Sequence, residues 1–391
     1  MKVCKVVIIS PAFAPCTLVG AARMTSLAGF LQKEGYAVTV VSAGKWYHRN
    51  DIWTRKIPDG IKVVEIENSK HYVKALKSKI ISVFNEDAYD LCITSMGPFD
   101  TQYFLWKLCK DNKIPLVLDY RDLWLFYFYY YKGQTVKVKI KHLLLDFMSF
   151  PFEYLSIKYA SAVVAVTEKN TDILKRRYKK YACKVITVYN GHEDMSSFVK
   201  ENRNCECSYS ILCAGKFIYY NEKAALDLIR AVNTLNEKGI QIKIIHMGEE
   251  SDNALELLKK NNVKTDNYQY IGKMGYNDAM QRLCHADAAV IIYGSKEGLG
   301  TKVFDYIGLN KPIIYSGILP SELGEFISKF DNTVIADNAK DLENGLSRLI
   351  QNKINKLENM PSERYSRKKQ NERFEKLIKS IIKSENGNRG A

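Results

Sequence analysis

Several features that would place the chain in a specialised class are scarce or missing. Only 9 of the 391 residues are proline and 22 are glycine, which excludes collagen-like and linker-rich chains. No run of about 18 apolar residues occurs, so we expect no membrane-spanning helix. The apolar run at residues 6–9 is only as long as a strand and follows Lys5, so we expect no secretory signal either. These absences predict a cytoplasmic protein.

Sequence patterns of metal and dinucleotide sites are also missing. The nine cysteines are scattered and odd in number, which favours free thiols in a reducing compartment. Cys205 and Cys207 are separated by one residue, which is not a zinc spacing, and no second pair lies nearby. No G-x-G-x-x-G fingerprint follows the first strand, which counts against a dehydrogenase. No internal repeat of solenoid length is found.

The composition is that of a globular protein with basic surface charge. Hydrophobic residues make up 46% and charged residues 26% of the chain, and the length suits two domains. The formal charge of +15 suggests nucleic acid, an anionic membrane face or phosphorylated substrates as partners. Because no nucleic-acid-binding module is present, we favour the membrane face and phosphorylated substrates.

Short apolar runs alternate with amphipathic stretches, a pattern typical of βαβ units and parallel sheets. Many of the runs are nearly continuous and rich in Val and Ile, as in strands covered on both faces. We therefore predict an α/β protein with two doubly wound, Rossmann-like domains facing a cleft at the carboxyl ends of their strands. The predicted strands are at residues 3–9, 37–42, 61–66, 91–94, 116–119, 162–166, 185–188, 210–214, 242–246, 268–271, 288–292, 312–315 and 333–335.

The predicted division follows a polar stretch in the middle of the chain. Residues 1–195 form an N-terminal domain, 196–208 a linker and 209–360 a C-terminal domain. Residues 361–391 are predicted to form a last helix and a flexible tail. The apolar side of that helix comprises Phe374, Leu377, Ile378 and Ile381.

The sharpest motif is EGLGTKVFDYIGLNKP at residues 297–312. Its two acids, Glu297 and Asp305, are eight positions apart across a glycine-rich turn that is predicted to open a helix. Gly298 and Gly300 let a ligand approach the backbone, and free amides at the helix start suit an anion. The alternative is a solvated loop acid followed by a helix-start acid that the helix dipole favours.

A second motif, Ala214-Gly215-Lys216, ends the first strand of the second half, and Lys223 comes seven residues after Lys216. Lysines at a strand end and at a helix start suit a nucleotide diphosphate. For Lys223 the alternative is an ordinary surface lysine. Two further strand-end turns follow in order, at residues 247–249 and 271–274.

In these motifs the chain resembles the family 4 glycosyltransferases of the GT-B fold, especially their bacterial polysaccharide and lipopolysaccharide branch. That family carries two glutamates with seven residues between them, where this chain has Glu297 and the shorter Asp305. The resemblance implies that Glu297 contacts the donor sugar and Asp305 the ribose hydroxyls. The donor-binding residues that it implies are Gly215, Lys216, Lys223, Gly248, Gly298, Gly300, Lys302 and Asp305.

The first half contributes two further candidate sites. Gly20 opens a helix that also carries Arg23, and in the resembling family this loop lies near the donor phosphates and the acceptor. Arg23 is therefore either a phosphate or acceptor contact, or a first-turn surface residue. Arg121 and Asp122 lie in an Arg-Asp-Leu-Trp sequence that the polysaccharide branch shares. Arg121 would hold a phosphate and Asp122 would orient the acceptor hydroxyl or act as a base, unless the two form a buried pair that braces the loop.

Residues 124–150 combine aromatic and basic residues in a way that suits lipid headgroups. The run WLFYFYYY at 124–131 is followed by Lys132, Lys137, Lys139 and Lys141 and then by further apolar residues. Lysines near an anionic leaflet contribute about 1 kcal/mol each to binding. We expect this segment to dock the protein on an anionic membrane surface, and the alternative is a packed core helix with a solvated basic face.

The resemblance covers residues 2–352 and implies transfer, with retention of configuration, from a nucleotide-sugar donor. It implies a hexosyltransferase with a lipid-linked or glycan acceptor, acting in cell-surface polysaccharide, capsule or lipopolysaccharide synthesis. Glu297, Asp122 and Arg121 are the catalytic candidates. We expect no metal or other cofactor, because no Asp-x-Asp stands in a plausible donor loop and lysines supply the positive charge.

Two other functions remain open from the sequence. A nucleotide-sugar epimerase of the same architecture would need its own acid and base residues, and no convincing set is found. A non-catalytic homologue would act as a scaffold at the membrane. In each case we expect a cytoplasmic protein, peripheral at the inner face of the cell membrane, with no nucleic-acid partner.

Overall fold

The computed structural model describes residues 3–43, 55–66, 71–95, 100–126, 135–198, 208–248, 263–352 and 362–389, together with residues 256, 258, 260, 261, 354 and 356. The chain divides into two compact units. The first unit comprises residues 1–190 and 367–391, and the second comprises residues 191–366. Each unit is built around a parallel β-sheet with helices, so the predicted α/β architecture of two Rossmann-like domains is confirmed.

The first unit contains a seven-stranded parallel sheet in the order β3-β2-β1-β4-β5-β6-β7. Its strands are β1 (Lys5–Ile9), β2 (Ala37–Ser42), β3 (Lys62–Glu65), β4 (Leu91–Ser95), β5 (Leu116–Tyr120), β6 (Ala162–Ala165) and β7 (Val185–Thr187). Its helices before the last are α1 (Val19–Lys33), α2 (Tyr72–Glu86), α3 (Asp100–Asp111), α4 (Val136–Tyr159) and α5 (Glu168–Arg177), with a 3₁₀ helix at Lys179–Lys184.

The second unit contains a six-stranded parallel sheet in the order β10-β9-β8-β11-β12-β13. Its strands are β8 (Tyr209–Ala214), β9 (Ile242–Met247), β10 (Tyr268–Tyr270), β11 (Ala288–Tyr293), β12 (Ile313–Gly317) and β13 (Thr333–Ala336). Its helices are α6 (Glu222–Glu237), α7 (Tyr276–His285), α8 (Lys302–Gly308), α9 (Glu322–Ile327) and α10 (Ala339–Gln351), with a 3₁₀ helix at Ser362–Tyr365.

The continuous apolar strands are explained by burial on both faces of each sheet. In β1, Val7 and Ile9 belong to one hydrophobic cluster, whereas Val6 and Ile8 belong to another. Successive side chains of a strand point to opposite faces, so the two clusters cover the two sides of the sheet. Burying one such side chain contributes about 1.5–3 kcal/mol, which makes the central strands the stable frame for the loops that follow them.

The last helix, α11 (Arg367–Arg389), packs in the first unit rather than forming a segment of its own. Phe374, Ile378 and Ile381 join the hydrophobic cluster that contains α1. The structure divides the chain after residue 190, whereas the sequence predicts that the N-terminal domain ends at residue 195. The last helix continues to Arg389, within the range in which the sequence predicts a helix and a flexible tail. Residues 199–207 of the predicted linker lie outside the described residues.

Candidate functional site

The order in which strands are added to the second sheet reverses between β8 and β11. They are neighbours in the sheet, while β9 and β10 continue on one side and β12 and β13 on the other. Parallel sheets of this kind bind ligands outside the carboxyl ends of the strands at such a switch point. Gly215 directly follows β8, and Glu297 lies in the loop after β11. The two sharpest sequence motifs therefore flank the switch point of one sheet.

Three adjacent strands, β8, β9 and β10, are followed within two residues by glycines with left-handed backbone conformations. The φ angles are +94° at Gly215, +130° at Gly248 and +80° at Gly272. The Gly248 N–H donates to the Gly272 carbonyl at 2.8 Å, and the Gly215 N–H donates to the carbonyl of Met247. A methyl group on Gly248 would overlap the backbone of Gly215. Glycine is required here for the conformation and for the close approach of the two turns.

A lysine side chain covers the first of these turns. The ammonium of Lys302, at the start of α8, occupies the position that a methyl group on Gly215 would take. Lys216 follows in the chain, is half-buried, and places its ammonium 3.7 Å from the centre of the Tyr219 ring. The Lys216 side chain has no acidic partner in the part of the chain that the structure describes. Two cations therefore lie at the turn after β8.

Helix α8 is fixed against both central strands by a fully buried tyrosine. The Tyr306 hydroxyl accepts a hydrogen bond from the Ala214 N–H at 3.3 Å and donates to the Val290 carbonyl at 3.3 Å. Ala214 is the last residue of β8, and Val290 lies in β11. The contact sets where α8 begins, and so positions the side chain of Lys302.

The backbone of the loop that carries Glu297 is held on both sides. The Glu297 N–H donates to the Ser295 hydroxyl at 3.1 Å, and the Glu297 carbonyl accepts from the Tyr293 hydroxyl at 3.3 Å. Glu297 itself is half-buried, and among the described residues no donor reaches its carboxylate. A carboxylate that is presented in this way is suited to accept hydrogen bonds from a ligand hydroxyl.

The glycine turn after Glu297 differs from the sequence prediction in one respect. Gly298 and Gly300 have φ angles of +85° and +66°, as a tight turn requires. The Gly298 N–H, however, donates at 2.7 Å to the carboxylate of Glu322, which is only 7% exposed. This amide is therefore committed to Glu322 and is not available to an anion.

Asp305 lies in the first turn of α8, as the motif predicts. Its carboxylate accepts a hydrogen bond from the Tyr276 hydroxyl at 3.0 Å, which ties the start of α7 to α8. Of the strand-end turn at residues 247–249, Glu249 lies outside the described residues.

The structure places Lys223 away from the turn after β8. Its ammonium donates at 2.7 Å to the Asp227 carboxylate and at 2.7 Å to the Asp337 carbonyl. Asp337 follows β13, the strand at the far edge of the sheet. The pairing has a local cause, because Asp227 is one helical turn along α6 from Lys223. In the structure Lys302, and not Lys223, lies at the turn after β8.

In the first unit, Arg23 is buried in an ion pair, so the alternative of a first-turn surface residue is wrong. Its guanidinium donates to the Asp119 carboxylate at 2.8 Å through Nη2 and to the Tyr189 carbonyl at 2.8 Å through Nη1. Asp119 is fully buried and also accepts from the Ser95 hydroxyl at 2.7 Å. The pair braces the carboxyl ends of β4 and β5, which leaves Arg23 only 6% exposed. Gly20 lies buried in the first turn of the same helix, α1.

Arg121 and Asp122 directly follow β5. Asp122 is exposed, whereas Arg121 is half-buried. Burial lowers the pKa of the Arg121 guanidinium, the carboxylates of Asp122 and Asp119 oppose this shift, and the nearby Arg23 and Arg367 add to it. Three arginines and the carboxylates of Asp119 and Asp122 therefore interact electrostatically around this turn.

The segment predicted to face a membrane consists of two different parts. Trp124 and Leu125 are buried, and Trp124 stacks on Tyr120 with ring centres 3.7 Å apart. Residues 127–134 lie outside the described residues. The first turns of α4, in contrast, expose a series of large apolar side chains: Val136, Ile140, Leu143, Leu144, Leu145, Phe147, Met148 and Phe152. None of the described helices is long and apolar enough to cross a membrane.

Two buried residues that shape the site escape the sequence motifs. Glu322 follows Ser321, which caps α9, so in sequence it looks like an ordinary helix-start acid. His246 lies inside the apolar strand β9, and a polar residue in such a run is the signal that would have drawn attention to it.

The comparisons with known proteins agree with this architecture. The model of Glycosyltransferase Family 4 matches residues 20–194, and the model of Glycosyl transferases group 1 matches residues 208–352. A search of curated proteins found no match.

Solved structures resemble the chain over nearly its whole length. HepE from Anabaena, in complex with UDP and glucose, has a TM-score of 0.63 and 13% identity, covering 96% of this chain and 100% of its own. WaaG, a glycosyltransferase involved in lipopolysaccharide biosynthesis, has a TM-score of 0.62 and 13% identity over 96% and 98%. A UDP-GlcNAc 2-epimerase from Methanocaldococcus jannaschii has a TM-score of 0.57 and 14% identity over 97% and 100%. The fold, the order of the motifs and the two family models together show that the chain belongs to the family 4 glycosyltransferases of the GT-B fold.

Proposed function

We propose that the second unit binds a nucleoside-diphosphate sugar at the carboxyl ends of β8 and β11. Lys216 and Lys302 would bind the diphosphate, and Glu297 would accept hydrogen bonds from the sugar. Asp305 would contact the ribose, as the family resemblance implies. The UDP and glucose named for HepE support this class of ligand.

The lysines would assist the reaction by stabilising the leaving group. When the bond between the sugar anomeric carbon and the diphosphate breaks, its electron pair remains on the phosphate oxygen. Ammonium groups fixed beside that oxygen stabilise the developing charge, and a preorganised contact of this kind accounts for roughly 3–4 kcal/mol of barrier lowering. The anomeric carbon then bonds to the acceptor oxygen, whose proton must be removed. We propose a hexosyl donor and retention of the anomeric configuration.

One observation carries this proposal. The ammonium of Lys302 lies directly over Gly215 at the switch point of the sheet, beside Lys216 in the chain. Glycine, two cations and a half-buried carboxylate after neighbouring strands are the groups that a sugar diphosphate needs. No comparable group of cations follows β12 or β13, as far as the described residues extend.

The experiment is calorimetric titration of the purified chain with UDP, GDP and CMP, followed by turnover assays with the matching sugars. We expect one nucleotide to bind wild type and to bind at least tenfold more weakly to Lys302→Ala and Lys216→Ala. Lys264→Ala is the matched control, because Lys264 pairs with Glu237 on the surface before β10. Wild type that binds none of the nucleotides would refute the donor site.

Lys223 supplies a second, sharper comparison. The structure pairs it with Asp227, so Lys223→Ala should retain the nucleotide affinity of wild type. The family pattern alone predicts a loss like that of Lys216→Ala. A tenfold loss in Lys223→Ala would support the assignment of Lys223 to the donor site that the family resemblance implies.

We place the acceptor next to Arg121 and Asp122 in the first unit. Arg121 would bind a phosphate of a lipid-linked acceptor, and Asp122 would orient the acceptor hydroxyl or take its proton. The arginines around this turn support an anionic acceptor. The lipopolysaccharide role named for WaaG supports a reaction in cell-surface polysaccharide, capsule or lipopolysaccharide synthesis.

We further propose that α4 docks the protein on the inner, anionic face of the cell membrane. Met148, Phe147 and Leu144 are 71%, 61% and 59% exposed, and the exposed Lys137, Lys139 and Lys141 lie on the same helix. An apolar helix with a basic flank binds such an interface parallel to its plane. The protein would then be cytoplasmic and peripheral.

Vesicle co-sedimentation tests the docking. Wild type should bind vesicles containing phosphatidylglycerol better than pure phosphatidylcholine vesicles, and salt should weaken this binding. Leu144→Glu with Phe147→Glu should abolish it, whereas Ile81→Glu, an exposed change on α2, should not. Binding that survives the double change would refute the role of α4, and a stable dimer would identify α4 as a contact between copies.

The reaction products distinguish an epimerase of this fold from a glycosyltransferase. Conversion of the sugar without an acceptor, and without lasting release of nucleotide, would identify that reaction. The epimerase fold match makes this assay necessary. A chain that binds the nucleotide but turns over no sugar with any acceptor would favour the scaffold.

A further inference from the structure

A fully buried histidine lies next to the turn after β8, where we propose that the diphosphate binds. His246, in β9, has no exposed surface. Its Nε2 atom is 2.6 Å from the carbonyl oxygen of Gly215, and its Nδ1 atom is 2.7 Å from the Tyr268 hydroxyl. The rings of Phe217 and Tyr270 lie 5.4 and 4.9 Å from the imidazole. The imidazole therefore links three neighbouring strands directly below Gly215.

These contacts determine which nitrogen carries the proton. A carbonyl oxygen only accepts, so Nε2 must be protonated to bond Gly215. Nδ1 then accepts from the Tyr268 hydroxyl when the ring is neutral. Burial among aromatic rings disfavours the charged form of an imidazole. His246 is thus a neutral donor to Gly215, held in that tautomer by Tyr268.

Holding the Gly215 carbonyl also sets the direction of the next amide. The peptide unit between Gly215 and Lys216 is planar, and in the trans form its C=O and N–H point in opposite directions. Since the C=O points to His246, the Lys216 N–H points away from the buried histidine. This N–H has no acceptor in the described portion of the chain. It is therefore oriented and available for an anion.

We propose that His246 is a positioning residue that directs the Lys216 N–H at the diphosphate. The inference deepens the proposed function and rests on it. The Lys216 amide, the Lys216 side chain and the Lys302 ammonium then form one anion-binding group at the turn. His246 touches no ligand and acts through the Gly215 peptide.

The binding test compares two substitutions at His246 in the full chain. His246→Leu removes the donor, whereas His246→Gln keeps an N–H near the Nε2 position. We expect about tenfold weaker binding of the nucleoside diphosphate for the leucine variant, the loss of roughly one directed hydrogen bond. The glutamine variant should bind within about twofold of wild type, since the amide supplies the missing donor. The corresponding nucleoside, which lacks phosphates, should bind all three proteins alike.

Three outcomes separate this inference from the proposed function. A purely packing role predicts that both variants lose stability while their nucleotide affinity stays equal to that of wild type, and this result would overturn the role of His246. Equal weakening of the nucleoside and the diphosphate would overturn it as well. Wild type that binds no nucleoside diphosphate would instead overturn the proposed function.

A spectroscopic measurement covers the case in which the leucine variant fails to fold. Nitrogen-15 NMR of histidine-labelled wild type should show His246 as the Nε2-protonated neutral tautomer, with the signal assigned by its loss in His246→Gln. Tyr268→Phe keeps the ring but removes the hydroxyl, so it should allow a mixture of tautomers. An Nδ1-protonated His246 in wild type would contradict the proposal without any ligand present.

Discussion

Replacing Arg23 by methionine tests whether this residue is a structural brace or a phosphate contact. The change removes the guanidinium from a pair in which Asp119 is fully buried and Arg23 is 6% exposed. Removing one partner of a buried ion pair costs about 3–5 kcal/mol, because the other charge is left uncompensated. For a unit of this size each kcal/mol lowers the melting temperature by roughly 2–4 °C, so the fall should be roughly 6–20 °C.

Scanning calorimetry measures the effect, with Arg373→Met as the control, since Arg373 is an exposed arginine on α11 of the same unit. The double variant Arg23→Met with Asp119→Leu removes both charges and should recover much of the lost stability. If Arg23 were a phosphate contact, Arg23→Met would keep its melting temperature and lose ligand affinity. That result would refute the structural role.

Three further predictions concern the two units separately. Gly215→Ala should lower the free energy of unfolding, measured by urea denaturation, by about 1–3 kcal/mol, because Gly215 has a left-handed backbone conformation. The same change should weaken nucleotide binding, because the added methyl group displaces the Lys302 ammonium. Burial raises the pKa of Glu153 in the folded chain above the usual 4.5. The melting temperature should therefore fall as the pH rises from 4.5 through the raised pKa, because the unfolded chain releases this proton more easily. Glu153→Gln should remove this fall. Glu322→Ala should lower kcat/KM by roughly tenfold by releasing the Gly298 N–H, whereas Glu322→Gln keeps an acceptor and should retain most of the activity. A Glu322→Ala enzyme with full activity, or a pH profile unchanged in Glu153→Gln, would contradict these assignments.

The fold could be predicted because strands that are buried on both faces of a sheet appear in the sequence as nearly continuous apolar runs. Each predicted strand corresponds to a strand in the structure, with ends that differ by at most two residues, as for Val3–Ile9 against β1. The last helix could be predicted from its apolar side, but its partner could not. Phe374 and Ile378 show only that one side is buried, and the partner α1 lies far away in the sequence. The assignment of residues 367–391 to the first unit follows from that long-range contact.

The site could be predicted where it depends on local sequence, as in the turns at Gly215 and Gly298. The role of a residue could not be predicted where its side chain could either bind a ligand or pair with another residue of the protein. Lys223 and Arg23 have the residue types that phosphates require, yet Asp227 and Asp119 are closer partners. His246 and Glu322 act through backbone groups of distant turns, and no motif spacing encodes such contacts.

The central claim is that a nucleotide diphosphate binds over the turn after β8. A crystal structure of the chain with UDP, or with whichever nucleotide binds most tightly, measures this directly. We expect the diphosphate oxygens to lie within hydrogen-bonding distance, about 2.7–3.2 Å, of the Lys216 N–H and the Lys302 ammonium. A diphosphate bound elsewhere, with both groups left in contact only with protein or water, would contradict the account.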